Sequence, residues 1–332
     1  MSSMKAPFLH VANGTCVTDL IEAAGIPGAR SIWSDPLYEG PVPGGITDAE
    51  LMNVRSRYLS GSEEPREVDP VNDLRVWRER IAAHGSYHEL VLWFEHDLFD
   101  QLNLIQLLSW IHERLPGGKP VSLICIGSFP GRPSFKGLGE LTPAELASLF
   151  GARQPVTPAQ YDLAARAWRA FRQSTPEALE ELRRADTSAL PYLAPAFDRF
   201  LQEYPWRHDG LSRSERRLLR LAERGPVPVA AAFPRMHDGE DAYYITDLSL
   251  AALVETLSRT SPPLLTVIEN GDGHRGALRG AVSVTEAGRE VLAQRRDRVA
   301  CGTDRWLGGV HLQTGAADKW RWDDERRGIV GR

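Results

Sequence analysis

Residues Leu90–Leu115 read LVLWFEHDLFDQLNLIQLLSWIHERL, and the fold is decided in this stretch. Its first five residues, Leu90, Val91, Leu92, Trp93 and Phe94, are apolar or aromatic without a break, the pattern of a strand buried on both faces of a parallel sheet. Glu95, His96 and Asp97 end the run. From Leu98 the period turns helical: Leu98, Leu102, Ile105, Leu108, Ile111 and Leu115 recur at spacings of three and four, with Asp97 placed to cap the first turn. Polar groups at the carboxyl end of a central strand, facing a helix N-terminus, mark where open α/β sheets bind ligands.

Working outward toward the N-terminus, Phe8–Ala12 reads as a strand that enters Asn13-Gly14-Thr15 and a helix with Val17, Leu20, Ile21 and Ala24 inward, stopping at Gly25. Ala29–Trp33 is a second strand, and Asp35 follows its end as Asp97 follows that of the first stretch. Thr47 and Glu50 form a capping-box signature for a helix running to about Leu59, and Leu74, Trp77 and Ile81 mark another. Toward the C-terminus, Val121–Ile126 is a further apolar strand, ending in a loop with Arg132 and Lys136. This alternation implies a parallel sheet with right-handed crossovers.

The pattern then changes. Thr142-Pro143, Thr157-Pro158 and Thr175-Pro176 read as three helix starts, each Thr an N-cap and each Pro at the first helical position. Ser212 and Glu215 open a helix over 213–224, a turn follows, and 247–259 is helical. Leu264–Glu269 and Leu278–Val284 flank Asn270-Gly271-Asp272-Gly273 as a hairpin, and Thr285 caps a last helix. The reading is therefore an α/β chain in three parts: a Rossmann-like domain over 1–140, a helical connecting segment over 141–206, and a winged-helix-like domain with a Trp-rich tail over 207–332. Trp306, Trp320 and Trp322 in that tail show no clear period and are expected to pack back on the domain.

Cys16, Cys125 and Cys301 lie far apart, with no CxxC pair and no Cys/His ligand spacing, which argues against a disulfide framework or a structural zinc site. Cys16, at a helix N-terminus, is read as buried and inert. The first residues lack the apolar core of a signal peptide and no apolar run approaches spanning length, so the expectation is a cytoplasmic protein with no membrane partner. Residues 1–210 carry 20 Lys and Arg against 27 Asp and Glu, and residues 211–332 carry 19 against 17; the second part is too mildly basic for an obvious nucleic-acid binder.

Residues 10–43 and 90–103 resemble the bacterial family named domain of unknown function 1835, through His10-Val11-x-Asn13-Gly14, Trp33-x-Asp35-x-Leu37-x-Glu39-Gly40-Pro41 and Trp93-Phe94-x-x-Asp97. The resemblance implies a fold for the N-terminal part and carries no reaction with it. The sequence departs from the family at Thr15, where members carry an Asp, so no carboxylate is expected from that position.

Parallel neighbouring strands would bring Asp35, His96 and Asp97 together as candidate catalytic residues, with Asn13, Gly14, Thr15 and Gln101 as ligand contacts. Two carboxylates and a His suit Mg²⁺ binding or acid–base work on a phosphate or glycosidic bond; the plainer alternative is that Asp97 only caps a helix and Asp35 only ties down a loop. Arg132 and Lys136 are positioned to neutralise a phosphate at the same edge. The expected function is an enzyme or binding protein for a nucleotide or another phosphorylated small molecule. The rival is a non-catalytic regulator whose winged helix binds nucleic acid or a protein partner, a second copy of the chain included. Its recognition-helix candidate, DLSLAALVETLSR, offers Asp247, Glu255 and only Arg259 to a groove, which argues against DNA, while His274, Arg275 and Arg279 in the wing keep a phosphate contact open.

Overall fold

The computed structural model describes residues 6–61, 70–83, 85–115, 119–268, 278–315 and 319–331. The turn expected at Asn270–Gly273, with His274 and Arg275, lies outside the described residues. Strands β1 (Ala6–Ala12), β2 (Ala29–Ile32), β3 (Tyr87–Glu95) and β4 (Val121–Ile126) run parallel in the order β2-β1-β3-β4, and β5 (Gln154–Pro155) adds an antiparallel edge beside β4. Ala12 pairs with Ile32 and Trp93, and Glu95 with Ile126, so the carboxyl ends of the parallel strands form one edge.

Alternation along β3 divides its side chains between two cores, as a pleated strand must. Leu90, Leu92 and Phe94 join one cluster with Leu102, Ile105 and Leu108 of α4 (Leu98–Arg114). Val91 and Trp93 join the other with Val17 and Ile21 of α1 (Thr15–Ala23) and Leu146 of α5 (Pro143–Phe150). Helices therefore cover both faces, which is why the run 90–94 carries no polar residue. Helices α2 (Asp48–Ser60) and α3 (Pro70–Ala82) complete the crossover from β2 to β3.

The middle of the chain is helical as read: α5, α6 (Pro158–Phe171), α7 (Glu177–Arg184) and α8 (Leu193–Leu201). Thr142 and Thr157 close capping boxes with Glu145 and Gln160. The third expected cap fails, because Pro176 itself occupies the N-cap of α7 and brings Glu177 and Glu180 into the first turn, where their charges favour the helix dipole. Further on come α9 (Arg213–Ala222), β6 (Val227–Pro228), α10 (Val229–Met236), α11 (Asp247–Ser258), β7 (Leu265–Ile268), β8 (Ala281–Val284) and α12 (Glu286–Leu292). Strands β6, β8 and β7 form a three-stranded antiparallel sheet.

The tail without a period resolves into two hairpins, β9 (Asp304–Leu307) with β10 (Val310–Gln313) and β11 (Trp320–Asp323) with β12 (Gly328–Gly331). It does pack back: Trp322 is 1% exposed, and its N–H and C=O bond the backbone of Pro205 and Arg207 at 2.9 Å each. The larger apolar cluster runs from Leu9 through Trp168 and Leu218 to Trp322, so the three segments share a continuous core. No described helix is long and apolar enough to cross a membrane.

Candidate functional site

β3 ends at Glu95, the chain turns through His96, and Asp97 caps α4 by accepting the Asp100 N–H at 2.9 Å. Asp100, on the first turn, bends back: its carboxylate accepts the Glu95 N–H at 2.8 Å and the Asn13 side-chain amide from the β1–α1 loop. Gln101 donates to the Glu95 carbonyl at 2.6 Å. The Glu95 carboxylate in turn accepts the Leu138 N–H at 2.6 Å, and a Cβ on Gly137 would collide with it, so only glycine lets the 135–140 loop approach this closely. One oxygen from each of Glu95, Asp97 and Asp100 can be chosen so that all lie within 4.8 Å of one another, with residue exposures of 7%, 9% and 0%.

Three carboxyl groups buried this close resist ionisation together. Burial, followed by the charge of Asp97, pushes Glu95 up to about 8. Burial also raises Asp97, to about 6, against the pull of hydrogen bonds from Asp100 and Phe99. Asp100 is raised well above the ordinary carboxylate range by burial and then by the charges of Glu95 and Asp97. The same oxygens suit a hard divalent cation such as Mg²⁺, which takes carboxylate ligands and would offset the mutual repulsion.

The surroundings of this triad are aromatic and of mixed charge, with Glu140 and Asp241 near Lys136 and His96. His96 sits among Phe135, Tyr192 and Tyr244, with ring centroids 6.4, 6.1 and 6.2 Å away. Its Nδ1 is buried without a hydrogen-bond partner, and burial lowers its pKa, so the ring is neutral at neutral pH. The Tyr192 hydroxyl accepts the Gly127 N–H at 2.9 Å. Lys136 is exposed and lies 5.8 Å over the Tyr244 ring. The N-terminus of α1 opens beside Asn13: Gly14, its N-cap, is extended and offers no side-chain cap, which leaves first-turn N–H groups for an anion.

The structure thus places Asp97 in the triad and gathers Asn13 and Gln101 around it, with Gly14 and Thr15 on the adjoining turn and His96 and Lys136 at its border. Asp35 is not among them. It follows the edge strand β2, and its carboxylate is clamped by Arg55, whose Nη2 donates at 2.6 Å and Nε at 3.0 Å, with side chains 1% and 2% exposed. The Asp35 backbone is held at both N–H and C=O by the Asn103 amide at 2.9 Å. Its carboxylate is thus engaged away from the three acids: a buried arginine already meets the charge. Arg132 is likewise engaged, its fork on the Glu145 carboxylate at 2.7 and 3.3 Å. Cys16 is exposed rather than buried.

Glu95 and Asp100 are the residues that sequence reasoning passed over. The signal for Glu95 was present, an acid closing an apolar strand. Asp100 read as an ordinary helix residue, since an acid in a first turn needs no explanation beyond the dipole. In chemical terms the assembly can hold a divalent cation, present amide N–H groups to an anion and move a proton through a neutral imidazole. No family model and no curated protein matches the chain.

Proposed function

We propose that the chain binds and acts on a nucleotide or another phosphorylated small molecule at the carboxyl edge of its parallel sheet, through a Mg²⁺ ion held by Glu95, Asp97 and Asp100. The observation that carries this reading is the buried triad: three acids kept together at 4.8 Å cost stability unless a charge of opposite sign meets them. A phosphate would complete the shell of the cation and rest on the first turn of α1, the side on which open α/β sheets take their ligands. His96, neutral and with an unpartnered nitrogen, is the proton carrier in this scheme. The sheet is read as Rossmann-like, and residues 10–43 and 90–103 as relatives of domain of unknown function 1835. In support, the motif residues Asn13 and Asp97 fall at the triad.

The order α9-β6-α10-α11-β7-β8 supports a winged-helix-like reading of the C-terminal part, used for packing rather than for DNA. Its third helix, α11, lines with Ser249, Leu253 and Thr256 a cleft of about 620 Å³, open to solvent, that Tyr58 also lines. The rest of its surface offers Leu248, Asp247 and Glu255, a poor set for phosphates.

Asp97→Asn tests the proposal. Asn caps a helix about as well as Asp, and the lost charge term with the dipole is worth about 0.3–1 kcal/mol, so the melting temperature should stay close to that of the wild type. Stabilisation of the full chain by Mg²⁺ with a nucleotide should disappear. An equal ligand response in both proteins would remove Asp97 from the site and leave it a cap.

A further inference from the structure

The triad has a wall supplied from far along the chain. The loop joining α10 to α11 crosses to the start of α4, where the Ala242 carbonyl accepts the Leu98 N–H at 2.7 Å, taking up a first-turn donor that the helix cannot pair internally. Tyr243 is driven inward, edge-on to Tyr38 at 5.3 Å and under the Arg199 guanidinium at 4.8 Å. On the other side, the Ile245 carbonyl lies 2.9 Å from His237 Nε2. With both neighbours anchored, Tyr244 is directed into the site. Its ring meets His96 edge-on at 6.2 Å and His237 at 5.8 Å, and it stays half-buried where Tyr243 is buried.

Lys136 reaches the same place from a loop with little freedom. Its neighbour Gly137 lies against the Glu95 carboxylate, and two residues on Gly139 lies against Cys16 at the start of α1. The lysine, next to the glycine that touches the triad, emerges over the Tyr244 ring.

We propose that Tyr244 and Lys136 together receive the anionic end of the ligand, so that the C-terminal module completes the strand-end site rather than merely packing beside it. The proposal rests on the phosphorylated-ligand reading above and identifies its phosphate contacts. Carboxylates repel a phosphate, and the Arg132 guanidinium is occupied by Glu145. A lysine ammonium supplies charge as a point donor, and a phenol supplies a neutral O–H donor. Burial and the charges of Asp97 and Asp241 push the Tyr244 hydroxyl up to about 12, so it keeps its proton throughout the physiological range.

The test uses the full chain, with Mg²⁺ alone and Mg²⁺ with inorganic pyrophosphate as probes, measured by calorimetry on wild type, Tyr244→Phe and Lys136→Gln. Neither substitution touches Ala242 or Tyr243, the anchors of the loop. Mg²⁺ alone should bind all three proteins with similar affinity. Pyrophosphate should bind each variant about tenfold more weakly than wild type, the worth of one hydrogen bond to a charged group. Wild-type pyrophosphate affinity in both variants would overturn the assignment while leaving the triad as the cation site. Absence of both Mg²⁺ and pyrophosphate binding in the wild type would overturn the functional reading and this inference together.

Discussion

Replacing Glu95 by Gln should stabilise the protein at pH 8 relative to wild type and flatten part of its pH dependence. Burial first, and the charge of Asp97 second, raise Glu95 from 4.5 to about 8. Between those values the folded protein holds a proton that the unfolded chain releases, so stability falls as pH rises through the window and levels off above it. His10, whose ordinary value is 6.5 and whose folded value is lower, changes the slope only below 6.5. The interval from pH 6.5 to pH 8 therefore reports the acids, and one retained proton costs about 1.4 kcal/mol per pH unit, or about 2 kcal/mol across it.

Gln keeps the shape and an oxygen to accept the Leu138 N–H, and turns an amide donor toward the other two carboxyls. It has no proton to lose. Guanidinium unfolding followed by tryptophan fluorescence at pH 6.5 and pH 8 should show the wild type losing about 2 kcal/mol more than the variant. Mg²⁺ should restore wild-type stability at pH 8 more than at pH 6.5, because it favours the ionised triad. Identical pH slopes for the two proteins would refute the claim that Glu95 is a protonated buried acid.

Two further outcomes follow from buried polar contacts outside the triad. Arg55→Met leaves the Asp35 carboxylate buried without its partner and should cost about 3–5 kcal/mol in chemical denaturation, while Mg²⁺ affinity of the folded protein stays unchanged; a lost Mg²⁺ response at intact stability would return Asp35 to the site. His10 accepts from the Trp93 indole at Nδ1, 3.1 Å away, so its Nε2 carries the proton and donates to the Pro27 carbonyl at 3.2 Å. Because burial depresses its pKa, the stability it contributes is complete above pH 6.5 and declines as the pH falls below it; unfolding curves should show this acid limb, and His10→Gln should flatten it.

Much of the architecture was legible because the controlling signals were local. The unbroken run 90–94, the helical period after Asp97, the capping boxes at Thr47 and Ser212 and the Thr-Pro starts at Thr142 and Thr157 each occupy a few residues, and the structure has the strand, the helices and the caps where they were read. Helix α10 was read as a turn, since it is only eight residues long, starts after Pro228 and carries Pro234 inside it. The strands of the tail hairpins are four residues each, too short for a period to stand out. β5, two residues long, has no signal of its own.

The site was legible only along the strand that organises it. Asn13, Asp97 and Gln101 could be placed because they end parallel strands or follow them. Asp35 ends a strand too, and nothing in its own neighbourhood shows that Arg55, on the helix after the loop, would claim it. Tyr244 could not be read at all, since its contact with His96 depends on tertiary packing between distant segments.

What fixes Tyr244 is largely ionic. Arg199 of α8 donates to Glu240 at 2.9 Å, to Glu203 at 2.7 Å and to Ser214 of α9 at 3.1 Å, all buried, and it also covers Tyr243. Glu240, at the head of the α10–α11 loop, is shared with Arg213 and Arg217, and Glu203 with Arg305 of β9. Buried pairs of this kind add little stability over well-packed apolar residues of the same volume. Their bonds are directional, however, and an apolar contact surface could slide by an ångström at small cost while a guanidinium held by two carboxylates and a hydroxyl cannot. A loop meant only to cover the core would gain nothing from such a restraint. A loop that holds Tyr244 against His96 for the ligand contact proposed above would require it, because ligand contacts lose their effect once displaced by about 1 Å.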